Sequence, residues 1–151
     1  LINEVFEEKM YLNHHDNGKP YLENCATTIS ITHTEKYVAI IIHDDEEVGI
    51  DIESLDRNFA AVEKKALSED EIEDLEDDDK KNEQLAIYWC AKEAIYKLYG
   101  RREVDLMDDI HITAYNPETM ELHATVGNVD NIVVRISFVG SRAVVVVATY
   151  K

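Results

Sequence analysis

Cations are scarce in this sequence. Fifteen Lys and Arg stand against 32 Asp and Glu in 151 residues, a formal net charge of −17. The imbalance is local: residues 43–79 hold 17 acids and three bases (Arg57, Lys64 and Lys65), which is −14 of the −17. Binding nucleic acid through its phosphates is therefore disfavoured. The run "SEDEIEDLEDDDKKNE" reads as a solvated helix face and loop, because blocks of like charge stay in water. Cysteine is scarce too. Cys25 and Cys90 lie far apart, so two buried thiols in a reducing compartment are expected rather than a disulfide. His14 and His15 adjoin, but no Cys or His falls at zinc-finger spacing. No apolar run approaches the roughly 20 residues of a membrane span. The opening "LINEVFEEKMYL" sets acids among its apolar positions, unlike a signal peptide. The expectation is a cytoplasmic chain without membrane contact. Fixed short repeats and low-complexity linkers are missing as well.

What is present is a globular composition, 45% apolar and 31% charged, in a chain long enough for one domain with a core. Leu1, Val5 and Phe6 share one side of an amphipathic helix expected to end near Tyr11. Because that helix begins at the first residue, the natural protein is expected to extend further N-terminally, by one strand and at least one helix. "DNGKPYL" marks a turn. "CATTISIT" and "YVAIIIHD" are β-rich runs joined by "HTEK", the pattern of paired strands. Ser68 is a good N-cap, with Glu71 as its capping-box partner. From about Asn82 to Tyr99 the spacing of Leu85, Tyr88, Trp89, Ile95 and Leu98 predicts a helix, ended by Gly100. The tail, "DIHITAY", "MELHATV", "NIVVRISF" and "RAVVVVATY", predicts strands, the last two joined by a hairpin at "VGSR". The fold class is α+β, with antiparallel strands and few helices.

Two stretches carry chemistry. In "VGIDIE", read as a strand, Ile50 and Ile52 point one way and Gly49, Asp51 and Glu53 the other. Asp51 and Glu53 then stand about 7 Å apart on one face, a repulsive pair that is costly to bury without compensation. In "WCAKEAIYK", Glu93 and Lys97 are four apart on the helix. Alone they read as a surface ion pair. However, Ala86 and Cys90 lie on the same stripe and are small enough to admit a ligand or a neighbouring strand. Glu93 brought to Asp51 and Glu53 makes an oxygen-rich site for a hard divalent cation. Magnesium fits, since it combines a few carboxylates with waters and substrate phosphates.

"GIDIE" followed some forty residues later by "WCAKEAIYK" resembles the 4′-phosphopantetheinyl transferase superfamily, of the surfactin-synthetase-activating type. The pattern G-x-D-x-E, then W-x-x-K-E-x-x-x-K, is matched at every signature position. Upstream, "NGKP" is similar to the family's adenine-contacting turn, and "ISITHT" to its I-S-x-S-H-S strand end. Thr32 stands where the family usually has Ser. The resemblance implies a magnesium-dependent transferase that moves the phosphopantetheine arm of coenzyme A onto a serine of an acyl or peptidyl carrier protein. The other product is 3′,5′-ADP. It implies metal ligation by Asp51, Glu53 and Glu93, with Glu93, or a water it holds, taking the serine proton. Lys97 is implied on the pyrophosphate, Lys92, Thr32 and His33 at the phosphates of the nucleotide end, and Lys19 and Pro20 along the adenine. The implied fold has two pseudo-symmetric halves of antiparallel sheet plus helices. Residues 1–47 are the end of an incomplete first half, and residues 48–151 the second.

Plainer roles stay open for single residues. Trp89 suits core packing, His33 a loop histidine, Lys19 a turn lysine. Arg57 suits either the bare surface or an acidic carrier protein. Two other functions also stay open: a catalytically idle homologue binding a nucleotide or partner, and an acidic divalent-ion-binding protein. The acidic run must face away from anionic ligands.

Overall fold

The computed structural model describes residues 9–23, 25–101 and 103–151. Strands β1 (Leu12–His14) and β2 (Pro20–Leu22) form a hairpin across the Asn-Gly turn, with Leu12 opposite Leu22. The β-branched runs then pair as β3 (Thr28–His33) and β4 (Val38–His43), antiparallel, Thr28 opposite His43. The chain turns through Asp44–Glu47 into β5 (Val48–Ser54). Two short helices follow, α1 (Val62–Ala66) and α2 (Glu69–Glu73), and then the long helix α3 (Lys81–Tyr99). The tail supplies β6 (Ile110–Asn116), β7 (Glu121–Val126), β8 (Val129–Val139) and β9 (Ala143–Tyr150).

Strands β5 to β9 make one antiparallel sheet in the order β5-β9-β8-β7-β6. Helix α3 packs on it. Leu85, Ile87, Ile95 and Leu98 from the helix share one core with Ile110, Leu122, Val134, Val144 and Val146 from the sheet. The α+β class with antiparallel strands and few helices is thus the observed one. Among the described residues, no helix is long and apolar enough to cross a membrane.

Local signals act as the sequence suggests. Ser68 and Glu71 form the reciprocal capping box of α2. Gly100 ends α3 in the left-handed region (φ 70°), a conformation that costs glycine little. The acidic run 69–79 is solvent-facing, save that Glu71 is buried and Leu75 half-buried. The helix expected up to Tyr11 lies, over residues 1–8, outside the described residues; Lys9–Tyr11 are not helical.

Candidate active site

The site begins with a close approach. A Cβ on Gly49 would lie 2.1 Å from the Ala94 carbonyl oxygen and 2.8 Å from the Leu98 nitrogen. Only hydrogen fits there, so β5 lies directly against α3. Cys90 and Ala94 are fully buried at this contact face, as is Ala86 one turn earlier. Gly49, Asp51 and Glu53 turn towards the helix, as the alternation of "VGIDIE" predicts. The small helix stripe admits a neighbouring strand.

Asp51 is buried, at 6% exposure. Its Oδ1 accepts from the Thr32 hydroxyl (3.1 Å) and from Lys97 Nζ (3.1 Å). Lys97 also donates to the Ile50 carbonyl at 2.9 Å, and the Ile50 N–H donates to Ser30 Oγ at 3.0 Å. Strand β3 therefore meets the free edge of β5 through two hydroxyls. Asp51 Oδ2 is buried with no hydrogen-bond partner among the described residues. An orphaned carboxylate oxygen is costly, and it marks a place for a positive ligand.

Two further carboxylates face this one. Glu53 is pushed up to about 7, first by burial and then by the Asp51 charge. Its Oε1 accepts from Trp89 Nε1 (3.1 Å) and its Oε2 from Arg57 Nη1 (2.9 Å). Glu93 is half-buried, and burial followed by the Asp51 charge raises its carboxyl, while Lys97 pulls the other way. The same surroundings hold the Cys90 thiol well above its ordinary value. No three His, Cys, Asp or Glu side chains among the described residues are gathered closely enough to grip an ion as they stand. The donor set nevertheless fits a hard divalent cation: oxygens only, mutually repelling, one unpartnered. Asp51, Glu53 and Glu93 are the residues that could hold it.

A cleft of about 490 Å³ opens beside this cluster. Lys19, Pro20, Thr32, His33 and Lys97, five of the six residues that the sequence reading gives to coenzyme A, line it. The end of α3 lines it with Tyr96 and Lys97, and Gly100 follows as the helix cap. The β1–β2 hairpin supplies a wall, held to the helix end by Asn17 Nδ2 donating to the Gly100 carbonyl. The Lys19 ammonium pairs with Glu47, which leaves its stem along the cleft. His33 sits exposed at the end of β3.

Lys92 requires a correction. The sequence reading sends it to the phosphates, yet it is fully buried and absent from the cleft wall. Its ammonium donates to the carbonyls of Ala66 (2.6 Å), Leu106 (2.8 Å) and Ile110 (2.7 Å) and to Glu71 Oε1 (2.7 Å). The helical spacing holds the reason: Lys92 falls on the stripe of Leu85, Tyr88 and Ile95, which faces the core. Thr32 also differs in part. It lines the cleft, but its hydroxyl is engaged with Asp51. Sequence reasoning missed Trp89 and Arg57 as partners of Glu53. It also missed Arg101, which lines the cleft with its guanidinium 5.0 Å from the centre of the Tyr99 ring.

A family model described as the 4′-phosphopantetheinyl transferase superfamily matches residues 47–136, more than half of the chain. The chain belongs to this superfamily. The match begins one residue before β5 and takes in Gly49, Asp51, Glu53, Glu93 and Lys97, the whole carboxylate cluster with its lysine. Lys19, Pro20, Thr32 and His33 lie upstream of it, and of those five residues it is Lys97 that shares the cleft with them. No curated protein sequence matches the chain. Phosphopantetheine transfer is the chemistry that superfamily membership supports.

Proposed function

We propose that this chain uses coenzyme A to load the 4′-phosphopantetheine arm onto a serine of an apo acyl or peptidyl carrier protein, as a cytoplasmic enzyme of the surfactin-synthetase-activating type. The observation that carries the reading is the buried, unpartnered Asp51 Oδ2, next to Lys97 at the edge of the cleft. An anionic pyrophosphate laid along Lys97 needs further positive charge on its other side. Asp51, Glu53 and Glu93 would hold a magnesium ion there, which supplies charge neutralisation for the pyrophosphate.

In this reading Lys19 and Pro20 flank the adenine, His33 meets the 3′-phosphate, and Lys97, with one N–H beyond those given to Ile50 and Asp51, meets the pyrophosphate. The serine oxygen attacks the phosphorus bearing the pantetheine arm. A new P–O bond forms, the bond to the bridging oxygen breaks, and 3′,5′-ADP leaves with the electron pair. Glu93 receives the serine proton, directly or through a water. Strands β1–β4 would be the end of a first pseudo-symmetric half and β5 onward the second, with the cleft between them.

The test is formation of 3′,5′-ADP and of a phosphopantetheinylated carrier from coenzyme A and apo carrier protein, with magnesium and with a chelator. Transfer that requires the ion supports the reading. Tight coenzyme A binding with no transfer to any carrier tried would make the chain an idle homologue.

A further inference from the structure

Lys92 and Glu71 form a buried knot that no part of the cleft explains. Lysine has three N–H donors, and four oxygens at 2.6–2.8 Å share them. Glu71 is filled as completely. Its Oε1 takes Lys92 and the Ser68 N–H (2.8 Å), and its Oε2 takes the Ile112 N–H (2.8 Å). Both side chains are buried, at 0% and 3% exposure. The pair joins the end of α1, the cap of α2, the middle of α3, the loop before β6 and β6 itself. Such a network costs desolvation and is stable only when every member is satisfied, as here.

The next residue along the helix is Glu93, about 100° round the axis from Lys92. With Lys92 held by four oxygens, neither the height nor the rotation of α3 is free at that turn. We propose that Lys92, through Glu71, is a positioning residue that turns Glu93 towards Asp51 and makes no contact with coenzyme A. This rests on the transferase reading above for what Glu93 then does.

The experiment uses the full chain with Lys92→Met and, separately, Glu71→Gln. The second is the milder change: it keeps the shape and one acceptor, so it is expected to fold even if Lys92→Met does not. Three quantities are read on each folded variant: coenzyme A affinity by calorimetry, kcat for transfer well below the melting temperature, and affinity for manganese(II) alone. The expected result is coenzyme A affinity within about twofold of the parent, kcat down by about tenfold or more, and weaker manganese binding. The double variant should be no worse than the poorer single one, because the two residues act as a unit. A tenfold loss of coenzyme A affinity in Lys92→Met alone would return Lys92 to the phosphates and overturn the proposal. Parental kcat in a folded variant would overturn it too, leaving the pair a purely structural staple. If the parent binds coenzyme A but transfers nothing, the transferase reading fails. Manganese affinity then decides the positioning role, which unchanged binding in the variants would end.

Discussion

Thr32 and Asp51 join two sheets: the Thr32 hydroxyl, on β3, donates to Asp51 Oδ1, on β5, at 3.1 Å. Both residues are buried. Thr32→Val keeps the shape and removes the donor. A hydrogen bond to a charged group is worth about 1.5–3 kcal/mol, so urea unfolding should show a loss of about 2 kcal/mol. Thr32→Ser, which keeps the hydroxyl, should stay close to the parent. Equal stability of the Val and Ser variants would remove the bond from the account.

Asp51→Asn separates function from stability. It removes the buried charge that raises Glu53 and Glu93, and it sets an amide nitrogen or oxygen where Oδ2 lacks a partner. Its cost is the ion pair with Lys97 and the charge that strengthens the Thr32 bond. Transfer should fall by about 100-fold or more, the scale of losing charge stabilisation in a transition state. The melting temperature in chelator should be unchanged or higher. A variant that melts lower and transfers normally contradicts both parts.

Glu53 gives a pH dependence whose sign is fixed. Its carboxyl lies at about 7 in the fold against an ordinary 4.5. The folded protein therefore binds the proton more tightly than the unfolded chain does. The stability tied to this group is full below about 4.5 and is lost as pH rises to about 7. Melting temperatures in chelator, compared between the parent and Glu53→Gln, should converge at the acid end and differ in slope above it. Magnesium should offset the loss at neutral pH. Parallel melting curves across that range would be the contrary result.

His33 stands on the cleft rim, exposed, beside the hydroxyl-bearing end of β3. His33→Ala should weaken coenzyme A by about tenfold, the loss of roughly one charge-assisted bond. It should leave dephospho-coenzyme A nearly untouched. Calorimetry with both ligands reads the difference. An equal loss for both moves the contact away from the 3′-phosphate.

Gly49→Ala tests the strand–helix contact. The added methyl meets backbone, which cannot swing aside. Overpacking of this kind costs about 1–3 kcal/mol or more, so the melting temperature should fall by roughly 5–10 °C. A melting temperature within a degree or two of the parent would mean that the gap is wider than described.

Much of this was legible because local chemistry and global fold agree. Gly100, Ser68 with Glu71, the alternation of "VGIDIE" and the strand-rich tail each carry a signal a few residues wide. The spacing of Glu93 and Lys97 was equally readable. Contacts made between segments were not. Nothing near Thr32 names Asp51, and nothing near Glu53 names Trp89 or Arg57. Lys92 shows how a motif can mislead: its neighbours in sequence are site residues, but its neighbours by helical spacing are Leu85, Tyr88 and Ile95. Glu71 was hidden by company, being the buried member of a run whose other acids face water.

The Ile50 peptide is closed on both polar groups by side chains, Ser30 on its N–H and Lys97 on its carbonyl. Strand β5 is an edge of the large sheet, but β3 packs along that edge, with the Ser30 and Thr32 hydroxyls both spent on β5. The lysine proposed for the pyrophosphate thus also closes a backbone group inside the fold. A variant built to silence Lys97 leaves the carbonyl of buried Ile50 without its donor, an unmatched polar group that costs about 1–3 kcal/mol. Its lost activity then has two sources, an altered ligand contact and a loosened junction of strand and helix, and a melting temperature belongs beside every rate measured on it.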